Sequence, residues 1–176
     1  PEELSVSDRN NIGYQYTDCP LYWISVIYLN FAEAKAEMGS LTQDDLNNSI
    51  NKLQARAGLP AMTTTPDADP ANNMGVSNLI WEIRRCRRCE LIMDKWYRYW
   101  DLIRWHQLDK LDSTKYPNTM LGANVSNVPD CEEATKNGYI DASDAQIRTY
   151  EAKHYFYPIP TTQLTLNKNM KQNPGW

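Results

Sequence analysis

Apolar positions recur along the first part of the chain at helical intervals. In PLYWISVIYLNFAEAKAEMGS, Trp23, Ile27, Phe31, Ala34 and Met38 follow at spacings of four, four, three and four, predicting one apolar helical stripe. Ala32, Ala34 and Ala36 are small enough for a neighbouring helix to approach closely, and Gly39 supplies a stop. LTQDDLNNSINKLQARAGLP predicts a second helix, capped by Thr42, with Asp44 and Asp45 in the first turn where the dipole favours carboxylates. Its stripe is Leu46, Ile50, Leu53 and Ala57, and Gly58 with Pro60 ends it.

The two helices make an αα-hairpin resembling a single tetratricopeptide unit; no second clean copy follows. PAMTTTPDADPANNMG lacks periodicity and reads as a surface loop. Ser77 then caps a third helix, VSNLIWEIRRCRRCELIMD, with Leu79, Ile83, Cys86, Glu90 and Met93 on one stripe. Glu90 is the outlier, because a carboxylate on an apolar face persists only when paired or hydrogen-bonded. Arg84, Arg85, Arg87 and Arg88 share the remaining circumference with Trp81 and Leu91. That setting favours packed stems whose guanidiniums meet carboxylates of neighbouring helices, over an anion site.

KWYRYWDLIRWHQLDKLD predicts a fourth helix, with Trp96, Trp100 and Ile103 on one side and Asp101, Trp105 and Leu108 on another. Asp101 stands three residues from both Arg98 and Arg104, so the three can meet on one surface. Glu90 with Asp94 or Asp101 could be read as a glycosidase acid pair. Each has an arginine nearby that keeps it ionised, the opposite of what a general acid needs. Structural pairing is the reading these residues support.

From Asp112 to Glu151 the pattern breaks up into Asn, Ser, Asp and turn formers. Long irregular segments within compact domains are usually functional or disordered. Tyr116, Asn118, Asn124 and Tyr139 supply rings and amides suited to sugar faces and hydroxyls, and a solvated loop without ligand is the alternative. The final stretch, YFYPIPTTQLTLNKNMKQNPGW, is extended at Pro158 and Pro160, each restricting the residue before it. Leu164 and Leu166 then fall on one side, Asn167 and Asn169 supply turns, and Trp176 pins the end. The tail reads as a clasp across helices already formed.

At 176 residues the chain suits one domain, 1–176, and its 41% hydrophobic content fits a packed globular protein. A net charge of −4 gives no electrostatic reason to expect nucleic acid. No run approaches the ~20 apolar residues of a membrane helix. The opening PEELSVSDRN, without a methionine or a lipid-attachment cysteine, points to a piece of a longer protein. Cys19, Cys86, Cys89 and Cys131 are too sparse for a disulfide scaffold. Cys86-x-x-Cys89 sits in a helical pattern without the ligands a zinc site needs, so free thiols are expected and no metal or cofactor is.

The ending is similar to the C-terminal signature of the SusD/RagB family, outer-membrane nutrient-binding lipoproteins of Bacteroidetes. The residues are Tyr157, Pro158, Ile159 and Pro160, then Leu166, Asn167 and Asn169, then Gln172 to Trp176. YLNFAEAKAEMG resembles that family's Ala-rich helix, and RRCEL…RYWDLIRW its Arg-Arg-x-Glu-Leu…Arg-Tyr-aromatic-Asp-Leu pair. Cys86 replaces an acidic residue common before the Arg-Arg pair, and DKWY replaces a common Glu-Gly turn. The resemblance implies a mainly helical fold, with tetratricopeptide-like hairpins carrying irregular binding loops. It implies a lipid-anchored cell-surface protein that caps a TonB-dependent, SusC-like transporter and passes it captured glycans or peptides, without catalysis. This chain would be its C-terminal part, lacking the lipidated N-terminus. The residue types themselves point to ligand contact for Tyr116, Asn118, Asn124 and Tyr139. Structural roles fall to Glu90, Arg88, Arg98, Asp101, Arg104, Pro158, Pro160 and Trp176. A helical-repeat adaptor for protein partners is the alternative.

Overall fold

The computed structural model describes residues 21–94, 96–129, 135–141, 143 and 146–176. Cys19 and Cys131 lie outside the described residues. The fold is mainly helical, and the chain divides into two compact units, Pro1–Met93 and Asp94–Trp176.

The first unit holds helices α1 (Ile24–Glu37), α2 (Gln43–Asn47), α3 (Ile50–Arg56) and α4 (Asn78–Glu90). Leu29, Leu46, Ile50 and Ile83 are fully buried at its centre, each contributing roughly 1.5–3 kcal/mol of transfer free energy. Gly39 and Gly58, with φ of 66° and 68°, end α1 and α3. In both, the next amide reaches back across the last turn, Ser40 N to Lys35 O at 2.9 Å and Leu59 N to Gln54 O at 2.9 Å.

The stripe predicted for α1 is not its packed face. Trp23, Ile27, Phe31, Ala34 and Met38 are all exposed, whereas Ser25, Val26, Leu29, Ala32 and Glu33 are buried. α1 carries apolar residues around most of its girth, so two stripes fit the same period. Glu33 decides between them, because its carboxylate meets Arg84 Nε of α4 at 3.4 Å. Arg84 also reaches Glu37 at 2.9 Å, and Arg87 donates to Asn30 Oδ1 at 2.8 Å. The expected pairing of α4 arginines with carboxylates of a neighbouring helix is thus realised by Arg84, whereas Arg87 meets an amide and Arg85 pairs with Glu82 of its own helix.

The predicted second helix is broken into α2 and α3. Asn48 Nδ2 donates to Asp44 O at 3.0 Å and Ser49 Oγ to Asp45 O at 2.6 Å, competing with the backbone ladder. Thr42 does cap α2, with a reciprocal capping box to Asp45. Asn51 clamps the loop beyond α3: Met62 N donates to its Oδ1 at 2.7 Å, and its Nδ2 donates back to Met62 O at 3.1 Å. Ser77 caps α4 as predicted, accepting from Ile80 N. The apolar stripe differs, since α4 stops at Glu90, and Met93 is 97% exposed with φ 62°.

The second unit begins with α5 (Tyr97–Arg104), which buries Asp101 and Leu102 and is continued by buried Trp105 and Leu108. Of the two sides predicted, this one packs, while Trp96 and Trp100 face outward. Short 3-10 turns follow at Leu108–Leu111, Pro117–Met120 and Ala152–Tyr155. Between them lies a small antiparallel sheet, order β1-β3-β2, of β1 (Leu121–Asn124), β2 (Thr135–Lys136) and β3 (Tyr139–Asp141). Asn137 and Gly138, at φ 54° and 79°, join β2 to β3 as a two-residue turn with both central residues left-handed.

The tail closes on its own approach segment. Ile159 N donates to Gln172 Oε1 at 2.8 Å, and Gln172 Nε2 donates to Ile159 O at 2.9 Å. Asn173 Nδ2 reaches Tyr157 O at 2.6 Å, and Trp176 Nε1 reaches Phe156 O at 2.9 Å. Beyond Pro160 the tail turns into α6 (Thr161–Leu166), on which Leu164 is half-buried and Leu166 exposed. A run of rings, His106–Tyr155–Tyr150–His154–Trp176, ties this clasp to the end of α5.

Candidate functional site

Asp112 organises the irregular half of the second unit. It is buried, accepts from Thr114 Oγ1 and N through Oδ1, and accepts from Tyr150 N at 3.1 Å through Oδ2. The Thr114 hydroxyl, then the Tyr150 and Thr114 amides, hold its pKa down at about 2. The turn after it is zipped to the returning segment, with Ser113 N donating to Arg148 O at 2.9 Å and Arg148 N to Ser113 Oγ at 2.9 Å.

These bonds shape a cleft of about 210 Å³ between the 113–121 segment, the hairpin and residues 143, 146 and 147. Ser113, Thr114, Lys136, Asp141, Ser143 and Gln146 give it a polar rim over Pro117, Met120, Leu121 and Ile147. The strand pairing sets this arrangement, because Leu121 stands opposite Asp141 and Lys136 opposite Tyr139. Asp141 Oδ1 accepts from Ser143 N at 3.0 Å and Oγ at 2.6 Å, an Asx turn that keeps Ser143 on the rim. An apolar floor with a few convergent polar groups is the general form of a small-molecule site. The volume suits one ring, not a chain of them.

None of the four ligand candidates from the sequence lines this cleft. Tyr116 precedes Pro117 and its hydroxyl accepts from Lys110 Nζ at 2.8 Å, with the ammonium 4.5 Å from the ring. Asn118 is exposed on the next turn. Asn124 and Tyr139 are brought together as partners across β1 and β3, and Asn124 Oδ1 accepts from Ser126 N at 3.0 Å. The rim residues Lys136, Asp141 and Ser143 carried a signal that sequence reading passed over, the Asn137-Gly138 pair that fixes the hairpin.

A wider groove of about 780 Å³ runs along the loop of the first unit, from Leu59 to Pro70, with Glu82 and Arg85. Three of its four charged side chains are already engaged. Arg85 pairs with Glu82, and Asp69 accepts from Ala71 N and Trp81 Nε1, bonds that lower its pKa.

Glu90 receives Arg56 Nη2 at 2.7 and 2.6 Å, a partner from α3 and not from its arginine-rich neighbours. Asp101 accepts from Arg104 Nε at 2.9 Å, and Arg98 is half-buried on the same helix. Arg88 lies on the exposed side of α4. Cys86 and Cys89 are free thiols; burial, then Glu90 and Glu82, pushes the Cys86 thiol up to about 12, which keeps it protonated. No cluster of three metal-ligating side chains occurs among the described residues, and no described helix is long and apolar enough to cross a membrane.

The chain belongs to the SusD family, whose model matches residues 4–176. It is similar to the crystal structure of a SusD-like protein from Bacteroides fragilis NCTC 9343, at 25% identity and TM-score 0.58, over 86% of this chain and 25% of that one. It is also similar to a solved protein named BT4246, at 28% identity and TM-score 0.62, over 89% of this chain and 23% of that one. The chain therefore spans about a quarter of the length of these structures. No curated protein is significantly similar to it in sequence.

Proposed function

We propose that this chain is part of a non-catalytic, cell-surface protein that captures nutrient glycans and delivers them to a TonB-dependent, SusC-like transporter in the outer membrane. The observation that carries this reading is the cleft of the second unit in a chain of the SusD family. Hydroxyls of Ser113, Thr114 and Ser143, the Lys136 ammonium and the Asp141 carboxylate can exchange water for sugar hydroxyls, while Pro117 and Ile147 meet a ring face. Tyr139 and Asn124, paired on the sheet beside Lys136, are its flanking contacts, with Tyr116 and Asn118 on the approach.

The carboxylates suited to hydrolysis are engaged in ion pairs instead, Glu90 with Arg56 and Asp101 with Arg104. That engagement supports the reading of binding without chemistry.

Calorimetric titration with neutral hexasaccharides of glucose, xylose, mannose and galactose tests the reading. At least one is expected to bind, and Lys136→Met to weaken it about threefold to tenfold, the share of one hydrogen bond. Silence across the panel, with tight binding to a SusC-like barrel, would favour a helical-repeat adaptor. The exposed apolar stripe of α1 is the observation on that side.

A further inference from the structure

Aromatic side chains gather outside the cleft, on α5 and the clasp of the second unit. Trp96 is 76% exposed and Trp100 56% exposed. They are one turn apart on one side of the helix, Trp100 N donating to Trp96 O at 3.2 Å. The Tyr99 ring stands edge-on to Trp100 at 5.5 Å and 67°. Its hydroxyl lies 3.0 Å from that of Tyr157, which the clasp brings from 58 residues away and leaves 69% exposed.

Two kinds of occupant compete for such a surface. A packed helix suits the exposed stripe of α1, where Trp23, Ile27, Phe31, Ala34 and Met38 present almost only hydrocarbon. The α5 surface differs, because the hydroxyl pair of Tyr99 and Tyr157 belongs to it, beside Trp100. Each phenol offers one proton and two lone pairs, so their mutual bond leaves a donor and several acceptor sites open. Among the described residues neither hydroxyl has a further partner. An apolar helix laid over them would strand those sites at a desolvation cost. A ligand that is flat and apolar on one face, with hydroxyls along its edge, satisfies both parts of the surface. Its C–H bonds, slightly positive, lie against the negative ring faces, and its hydroxyls take up the open sites of the tyrosine pair.

We propose that Trp96, Trp100, Tyr99 and Tyr157 form a second saccharide platform, separate from the cleft, on which pyranose rings of a glycan stack in succession along α5. This rests on the glycan reading above. The tryptophans, one helical turn apart, each receive a ring face, and the tyrosine hydroxyls fix the orientation. The cleft holds one ring at its rim; the platform holds the body of a longer chain.

The same hexasaccharides, with the corresponding monosaccharides, test this by calorimetry and by tryptophan fluorescence. The expected result is a hexasaccharide that shifts the tryptophan emission and binds more tightly than its monosaccharide. Trp100→Ala is expected to weaken it about tenfold. Tyr157→Phe, which keeps the ring and removes the hydroxyl, is expected to weaken it about threefold to tenfold, and Trp100→Phe to restore part of the loss. Far-UV circular dichroism of each variant checks folding. If Trp100→Ala and Tyr157→Phe bind like the parent while Lys136→Met loses affinity, the platform is overturned and glycan capture at the cleft stands. If no hexasaccharide binds the folded parent, the glycan reading falls and the platform with it.

Discussion

Single residues do much of the positioning, and several can be titrated or replaced on their own. Asp112 is the clearest, since its carboxylate gathers Thr114 and the Tyr150 amide and so shapes one wall of the cleft. Its folded pKa of about 2 lies below the roughly 3.9 of an unfolded aspartate. A depressed carboxylate contributes stability above the unfolded value and loses it as pH falls through the folded one. Denaturant midpoints measured across pH should therefore show the parent more stable than Asp112→Asn above about pH 5, with the gap closing between about pH 4 and 2. A gap independent of pH would remove the carboxylate from this role. Glu90 shows what sequence could and could not say at this scale. Its place on an apolar stripe demanded a partner, yet the partner, Arg56, is 34 residues away on another helix. Spacing within one helix carries no information about such a contact.

Elements were legible where their ends carried chemistry. Gly39, Gly58, Thr42 and Ser77 punctuate the helices where their residue types predict, because caps act locally. The break between α2 and α3 was not legible, since Asn48 and Ser49 sit within an unbroken apolar period and only their side-chain bonds reveal the competition. The hairpin carried a local signal in Asn137-Gly138, and its strands are too short for alternation to show. Gly138 holds φ 79°, and an added Cβ would stand 2.1 Å from Ser126 Oγ. Gly138→Ala should cost about 1–2 kcal/mol through the left-handed backbone alone. Faster amide exchange should appear in residues 121–124 and 135–141 while the protection of α5 is unchanged. Unaltered exchange in the hairpin would show that the turn does not set the strand register.

For the molecule as a whole, the short motifs resembled those of the SusD family and periodicity identified a mainly helical fold, both of which depend on short-range pattern. It did not identify which side of α1 is packed, since the choice rests on the ion pair of Glu33 with Arg84, 51 residues apart. The cleft was illegible for the same reason, being assembled from four separate stretches of one unit. The outward side of α1 has a consequence for handling. With Ile27 54% and Phe31 42% exposed beside Trp23 and Met38, the chain should behave as a surfactant. It should collect at air–water boundaries, foam on agitation and wet plastic, so dilute stocks lose titre with time. Ile27→Glu with Phe31→Glu should lower its equilibrium surface pressure while leaving the helical circular dichroism intact. An unchanged pressure would trace the wetting to some other patch.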